Sequence, residues 1–206
     1  MEIKQFLYLI CAFAVILIML LIADHFSPNR VKGRNAENIT RKSIKKVFRK
    51  KPVKVLNNVY LPLYKGTSEI DHLVFGTFGV LVVETKGISG TVSGRGKQLE
   101  HKMGNQKYKF YNPQEQNKTH INNVVHHLKK GGYKNVSVTG AVVFTDPNIQ
   151  LNAPVGMTVA EFEKFCKGLK NCGANPDILY DYFKSIQVRS PLRKFMHRFE
   201  VKKNRK

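Results

Sequence analysis

With 206 residues and 42% hydrophobic content, the chain is long enough for one domain with extensions and too apolar for intrinsic disorder. Its 35 Lys+Arg against 14 Asp+Glu give a formal charge of +21. That charge predicts attraction to polyanions, either nucleic acid or an anionic membrane face, against the alternative of a solvated basic surface without a partner. The three cysteines, Cys11, Cys166 and Cys172, are odd in number and their C-x5-C spacing matches no zinc template, which reads as reduced thiols in a reducing compartment.

In chain order, the first element is apolar. From Gln5 to Ala23 no residue is charged, and at about 1.5 Å per residue a helix of that length crosses a bilayer. The run is longer than a signal-peptide core, and ADHFSPNR offers no small-x-small cleavage site, so an uncleaved transmembrane anchor is expected. Lys4 flanks one end, and Arg30, Lys32, Arg34, Arg41 and Lys42 flank the other. The positive-inside rule then puts a single-pass chain's C-terminal domain in the cytoplasm. A polar linker with Pro28 follows. A helix is expected from Asn35 to Arg49, with Asn35 as N-cap, Glu37 in the first turn, and Ala36, Ile44, Val47 and Phe48 as its apolar stripe. Glu37 lies seven residues before Ile44, which puts it near the buried face.

Three strands come next: VKVLNNVYL from Val53, SEIDHLVFG from Ser68 and GVLVVETKG from Gly79. The Gly-rich basic segment from Gly87 to Lys109 reads as irregular structure or a short hairpin; its glycines lack the spacing of a phosphate-binding loop. Asn112, Pro113 and Gly131-Gly132 punctuate a helix with Ile121, Val124, Val125 and Leu128 inside. VSVTGAVVF, 136–144, reads as a central strand. Two helices, TVAEFEKFCKGL and PDILYDYFKSI, follow. The basic tail carries Leu192, Phe195, Met196 and Phe199 at helical spacing, a stripe for core packing or for a membrane surface.

The chemistry is concentrated in the second and third strands. Their turn, GTFG, pairs Gly76 with Gly79, an index sum of 155. Carried to the ends, that register puts Asp71 opposite Glu84, with Lys86 on the same face two residues on. A bulge would spoil it. Facing carboxylates repel, and three accounts resolve this: a neighbouring cation such as Lys86, one acid protonated through a raised pKa, or a divalent metal between them. His72 points to the opposite face and reads as structural. His120, His126 and His127 share one helix, with no acid or Cys partner evident for a metal site.

At these residues the sequence resembles the NERD (nuclease-related) domain family, which is similar to the PD-(D/E)xK restriction-endonuclease-like superfamily. The marks are GRNAE around Glu37, LNNVYLP, EIDHLVFGTFGVLVVETKGISG, and YNPQEQ ending at Gln116. The resemblance implies an α/β fold with an α-β-β-β-α-β core and a central mixed sheet, to which the anchor and C-terminal helices are additions. It also implies that Asp71, Glu84 and Lys86 match the nuclease triad, with Glu37 and Gln116 at accessory positions. Ile70 stands where the superfamily's name has Pro. The expected organisation is an anchor over 1–24, a linker over 25–32, a nuclease-like domain over 33–150 and a basic helical extension over 151–206.

The expected function is a membrane-anchored Mg²⁺- or Mn²⁺-dependent nuclease hydrolysing phosphodiester bonds, with DNA the expected nucleic acid. Asp71 and Glu84 would hold the metal with support from Glu37, Lys86 would assist the attacking water, and Gln116 would position water or phosphate. A non-catalytic nucleic-acid-binding or membrane-tethering module of the same fold is the alternative.

Overall fold

The computed structural model describes residues 3–25, 27–64, 66–194 and 196–197. Helix α1 (Ile3–His25) leads into α2 (Pro28–Val47) across Ser27. Pro28 opens α2, so this helix starts inside the expected linker and Asn35 lies within it rather than capping it. Among the described residues no helix is long and apolar enough to cross a membrane. The anchor therefore rests on the sequence run alone.

Strands β1 (Lys54–Pro62), β2 (Thr67–Gly76) and β3 (Gly79–Lys86) form an antiparallel meander. After an insertion come α3 (Pro113–Lys130) and β7 (Val138–Phe144), the latter parallel to β3. The expected α-β-β-β-α-β order is thus present in α2-β1-β2-β3-α3-β7. With β9 (Met157–Thr158) at the edge, the sheet runs β1-β2-β3-β7-β9 and is mixed. β3 lies in its middle, and Gly79 through Thr85 are all buried, as its near-continuous apolar run requires.

Helices cover both faces. Val80, Val82, Leu73 and Phe75 meet Val124 and Leu128 of α3 and Leu179 and Phe183 of α5 (Pro176–Ile186). Leu81, Val83 and Val74 meet Ile44 and Phe48 of α2 and Phe162 and Cys166 of α4 (Val159–Lys167). Local chemistry sets the helix starts. Asn112 caps α3 by accepting from Gln114 N, Thr158 and Glu161 make a capping box on α4, and Asn175 accepts from Asp177 N and Ile178 N on α5.

The insertion holds β4 (Gly90–Ser93), β5 (Gln98–Met103) and β6 (Gln106–Tyr111), which join β8 (Ile149–Leu151) in a second sheet ordered β6-β5-β4-β8. Of the two expectations for the insertion, the hairpin is present, as β5 and β6, and irregular structure is not. Val92 and Leu99 pack with Val142, Phe144 and Val155, tying this sheet to the first. In the tail, the stripe does not bury its described members: Leu192 is 66% and Met196 53% exposed. Phe195 and Phe199 lie outside the described residues.

Gly79 makes the β2–β3 turn possible. Its φ is +97°, and a Cβ there would collide with the Ser137 carbonyl oxygen. Gly79→Ala is expected to cost about 2 kcal/mol or more of stability, read by chemical denaturation. An unchanged midpoint would mean that the turn tolerates a side chain.

Candidate active site

The β2–β3 ladder keeps the expected sum, from Gly76↔Gly79 to His72↔Val83, and stops there. Asp71 and Glu84 are therefore not a ladder pair. Asn58 of β1, across from Asp71, has φ +51°, and β1–β2 pairing omits both residues. With the ladder interrupted, the Asp71 side chain takes a backbone partner: Oδ2 accepts from Thr85 N at 2.7 Å. The two acids are still close enough for the Glu84 charge to act on Asp71.

Glu84 follows Val80 and Val82 in alternation, which sends its side chain to the α3 side. It is 2% exposed. Lys86 Nζ donates to Glu84 Oε1 at 2.7 Å and to Gln116 Oε1 on α3 at 3.1 Å. One turn further along α3, His120 Nε2 stands 3.3 Å from Glu84 Oε2. His120 Nδ1 lies 2.8 Å from Ser68 Oγ. With the Ser68 hydroxyl donating to Nδ1, the neutral ring carries its proton on Nε2, aimed at Glu84. The other tautomer would set two lone pairs against each other. The 3.3 Å approach is an ion-pair distance without good hydrogen-bond geometry, and Glu84 Oε2 is otherwise a buried oxygen lacking a partner.

These contacts set the charges. Burial pushes Glu84 upward, yet the Lys86 ammonium and the neighbouring His120 ring outweigh it and hold the carboxyl below its usual value. Asp71 goes the other way: burial first, then the Glu84 charge, raise it well above the usual range, with the Thr85 N–H opposing and Glu37 adding to the rise. Glu37 on α2 is also raised, by burial and by Glu69 and Glu84, against a hydrogen bond from Asn58. The Asp71–Glu84 pair therefore keeps its negative charge on Glu84 first and its proton on Asp71.

Of the five residues singled out by sequence, Glu84, Lys86 and Gln116 make one hydrogen-bonded group, and Asp71 and Glu37 join it through their electrostatic influence. His72 is confined to the other face, opposite Val83, with Nδ1 2.8 Å from Asn57 Oδ1. Burial and Arg41 bring its pKa down to about 4. His127 meets the Pro62 carbonyl at 3.0 Å. The reading that α3's histidines lack an acid partner is corrected at His120. The missed signal was its spacing: His120 follows Gln116 by four and so shares its helix face.

Among the described residues no group of three or more His, Cys, Asp or Glu side chains is arranged to hold a metal ion. Glu37 therefore does not complete a three-ligand set. Two carboxylates remain, one with an unpartnered buried oxygen, and both depart from their usual pKa. That is an oxygen donor pair of the type Mg²⁺ uses when water and phosphate oxygens fill its other positions.

The sign of the Asp71 shift gives a test without metal. A raised folded pKa means that the folded state holds a proton the unfolded chain has released. Stability therefore falls as pH rises from the ordinary carboxylate range toward the folded pKa. Asp71→Asn keeps an acceptor for Thr85 N and removes the charge. It is expected to melt higher than the parent at pH 7, on the order of a few degrees, with the gap closing toward pH 4. A gap independent of pH would contradict the shift.

The profile of the nuclease-related domain family, NERD, matches residues 32–145. A Bacillus anthracis protein described as uncharacterized is 34% identical over 92 residues, 44% of this chain and 43% of that protein. The chain thus spans less than half the length of this relative. No solved structure matches the chain. The family match covers α2 through β7 with every residue of the site, and the chain belongs to the nuclease-related domain (NERD) family, within the restriction-endonuclease-like superfamily.

Proposed function

We propose that the chain is a divalent-metal-dependent nuclease whose centre is Asp71, Glu84 and Lys86. One observation carries this reading: Lys86, Glu84 and Gln116 are hydrogen-bonded together at the end of the central strand, beside an Asp71 whose own ionisation Glu84 opposes. A carboxylate pair in this state gains from a cation that neutralises both members.

Asp71 and Glu84 would hold the ion, and Mg²⁺ or Mn²⁺ fits their oxygen donors. When bound, such an ion polarises a phosphoryl oxygen and lowers the pKa of a water. The chain's own groups do the rest. The Lys86 ammonium fixes Glu84 Oε1 and Gln116 Oε1 and offers its third hydrogen to the attacking water or to the charge developing on phosphorus oxygens. Gln116, held by Lys86 through Oε1 and with Nε2 3.4 Å from His120 Nε2, has a further amide hydrogen to direct toward a phosphate oxygen. His120, braced by Ser68, holds the far oxygen of Glu84. Glu37 adds negative charge from α2. Hydrolysis forms a P–O bond from water and breaks the P–O bond to the leaving sugar oxygen, which takes up a proton. The +21 charge favours a nucleic-acid substrate, and DNA is the first candidate.

Membrane attachment with the domain in the cytoplasm is part of the same proposal. Its support is the uncharged Gln5–Ala23 run and the basic residues after it. If it holds, the full chain stays with the membrane fraction after alkaline carbonate washing. Release by that wash would contradict it.

A non-catalytic binding module has its own supporting observation: Lys86 already neutralises Glu84, and no three-ligand group is formed among the described residues. The two readings separate in one experiment. The full chain is incubated with supercoiled plasmid, linear duplex, single-stranded DNA and RNA, with Mg²⁺, Mn²⁺ or chelator. The nuclease reading expects metal-dependent cutting, reduced about 10²-fold or more in Asp71→Ala, Glu84→Ala and Lys86→Ala, with binding retained. Salt-sensitive binding without cutting would favour the module.

A further inference from the structure

We propose that the outer face of the second sheet is a binding surface for the phosphodiester backbone of nucleic acid, and that it guides a strand to the site beside it. This assignment rests on the nuclease reading for its purpose but on separate residues for its evidence. β4, β5 and β6 form the insertion that leaves β3 just past Lys86 and returns to α3 just before Gln116. Its sheet is thus tied at both ends to the candidate site.

The two faces of this sheet differ. Val92, Leu99 and Phe110 point into the core that joins it to Val142 and Phe144. By alternation, Lys102, Lys107, Lys109 and Tyr111 point the other way, and all four are exposed. Lys102 and Lys107 are direct cross-strand partners. Like charges in that arrangement repel. The one acid on this face, Glu100, pairs with Lys107 at 3.3 Å and leaves the excess positive. β6 is at the sheet's edge, so nothing in the sheet lies beyond this lysine row. Arg95 and Lys97, exposed on the β4–β5 turn, extend the positive charge. Tyr111, 47% exposed beside Lys109, adds an aromatic ring on which a base can stack.

The polyanion chosen is nucleic acid rather than lipid because the face is a strand-length row with an aromatic group, on strands the chain joins directly to β3 and α3. The other basic surface, on α2, is oriented differently. At about 100° per residue, Lys42 stands roughly 140° around the helix from Glu37, Lys46 roughly 180° and Lys45 roughly 80°, and Arg49 lies past the helix end at Val47. Lys42 and Lys46 of that patch therefore turn away from the site.

The test measures binding of a fluorescent single-stranded oligonucleotide to the full chain across a salt series, with chelator present to prevent cutting. The variant Lys102→Ala/Lys109→Ala/Tyr111→Ala is compared with Lys42→Ala/Lys45→Ala/Arg49→Ala and with the parent. The proposal expects the sheet variant to bind about tenfold or more weakly and to lose about 1.5 from the log–log salt slope, near 0.7 for each phosphate contact removed. The α2 variant should retain the parent's binding. Parent-like binding by the sheet variant, or equal losses in both, would overturn it. So would a sheet variant that loses affinity for phosphatidylserine vesicles but not for the oligonucleotide. These outcomes do not depend on catalysis: absent cutting with a sheet-dependent affinity would reject the nuclease reading and leave this surface standing.

Discussion

A buried carboxylate at the end of a buried strand is the constraint from which the rest of the site follows. Glu84 ends the apolar run of β3 and is almost inaccessible to water. An unpaired charge there would be expensive, and a residue in that position needs a partner supplied by the fold. Lys86 is that partner, two residues on and on the same face. Its ammonium in turn reaches Gln116 across to α3. One ion pair therefore ties the central strand to the helix that covers it, and the strand's register decides which side chains meet.

The surrounding layers serve this placement. α3 starts at the capped Asn112, and that start sets Gln116 and His120 one turn apart over the strand end. α2, on the opposite layer, contributes Glu37 at the same end of the sheet. Between β3 and α3 the chain builds a second sheet without moving either of the elements it joins. Three acids are gathered where the sheet ends, the first negative charge resting on Glu84, within a chain whose overall charge is strongly positive. That contrast suits a site that gathers a polyanion by its surroundings and draws a cation to its centre.

Much of this was readable from residues. The continuous apolar pattern of β3, the GTFG turn and the Asn-Pro helix start fixed the elements, and the index sum of the hairpin held along the whole β2–β3 ladder. The last step failed because the β2–β3 ladder stops at His72 and Val83, and beyond it the Asp71 carboxylate takes the Thr85 N–H, beside an Asn58 in left-handed conformation on a third strand. No pattern within the hairpin contains that information. The insertion was left between irregular structure and a hairpin; the alternation in QLEHKM and QKYKFY, either side of a Gly-Asn turn, decides for the hairpin, while its pairing with β4 and, through β4, with β8 depends on a distant segment. His120 was legible by its spacing from Gln116, but its link to Glu84 depends on how α3 lies on β3, a tertiary fact. The five acid, amide and lysine positions came from a family likeness as well as from geometry, and the structure adds Ser68 and His120 to them.

The central claim is that Asp71 and Glu84 form a cation site that Lys86 adjoins. Anomalous scattering from crystals of the protein grown with Mn²⁺ addresses it most directly. The account predicts one peak within about 2.2 Å of an oxygen of each carboxylate. A peak bound elsewhere, or none at saturating Mn²⁺ with the Lys86–Glu84 pair intact, would contradict it.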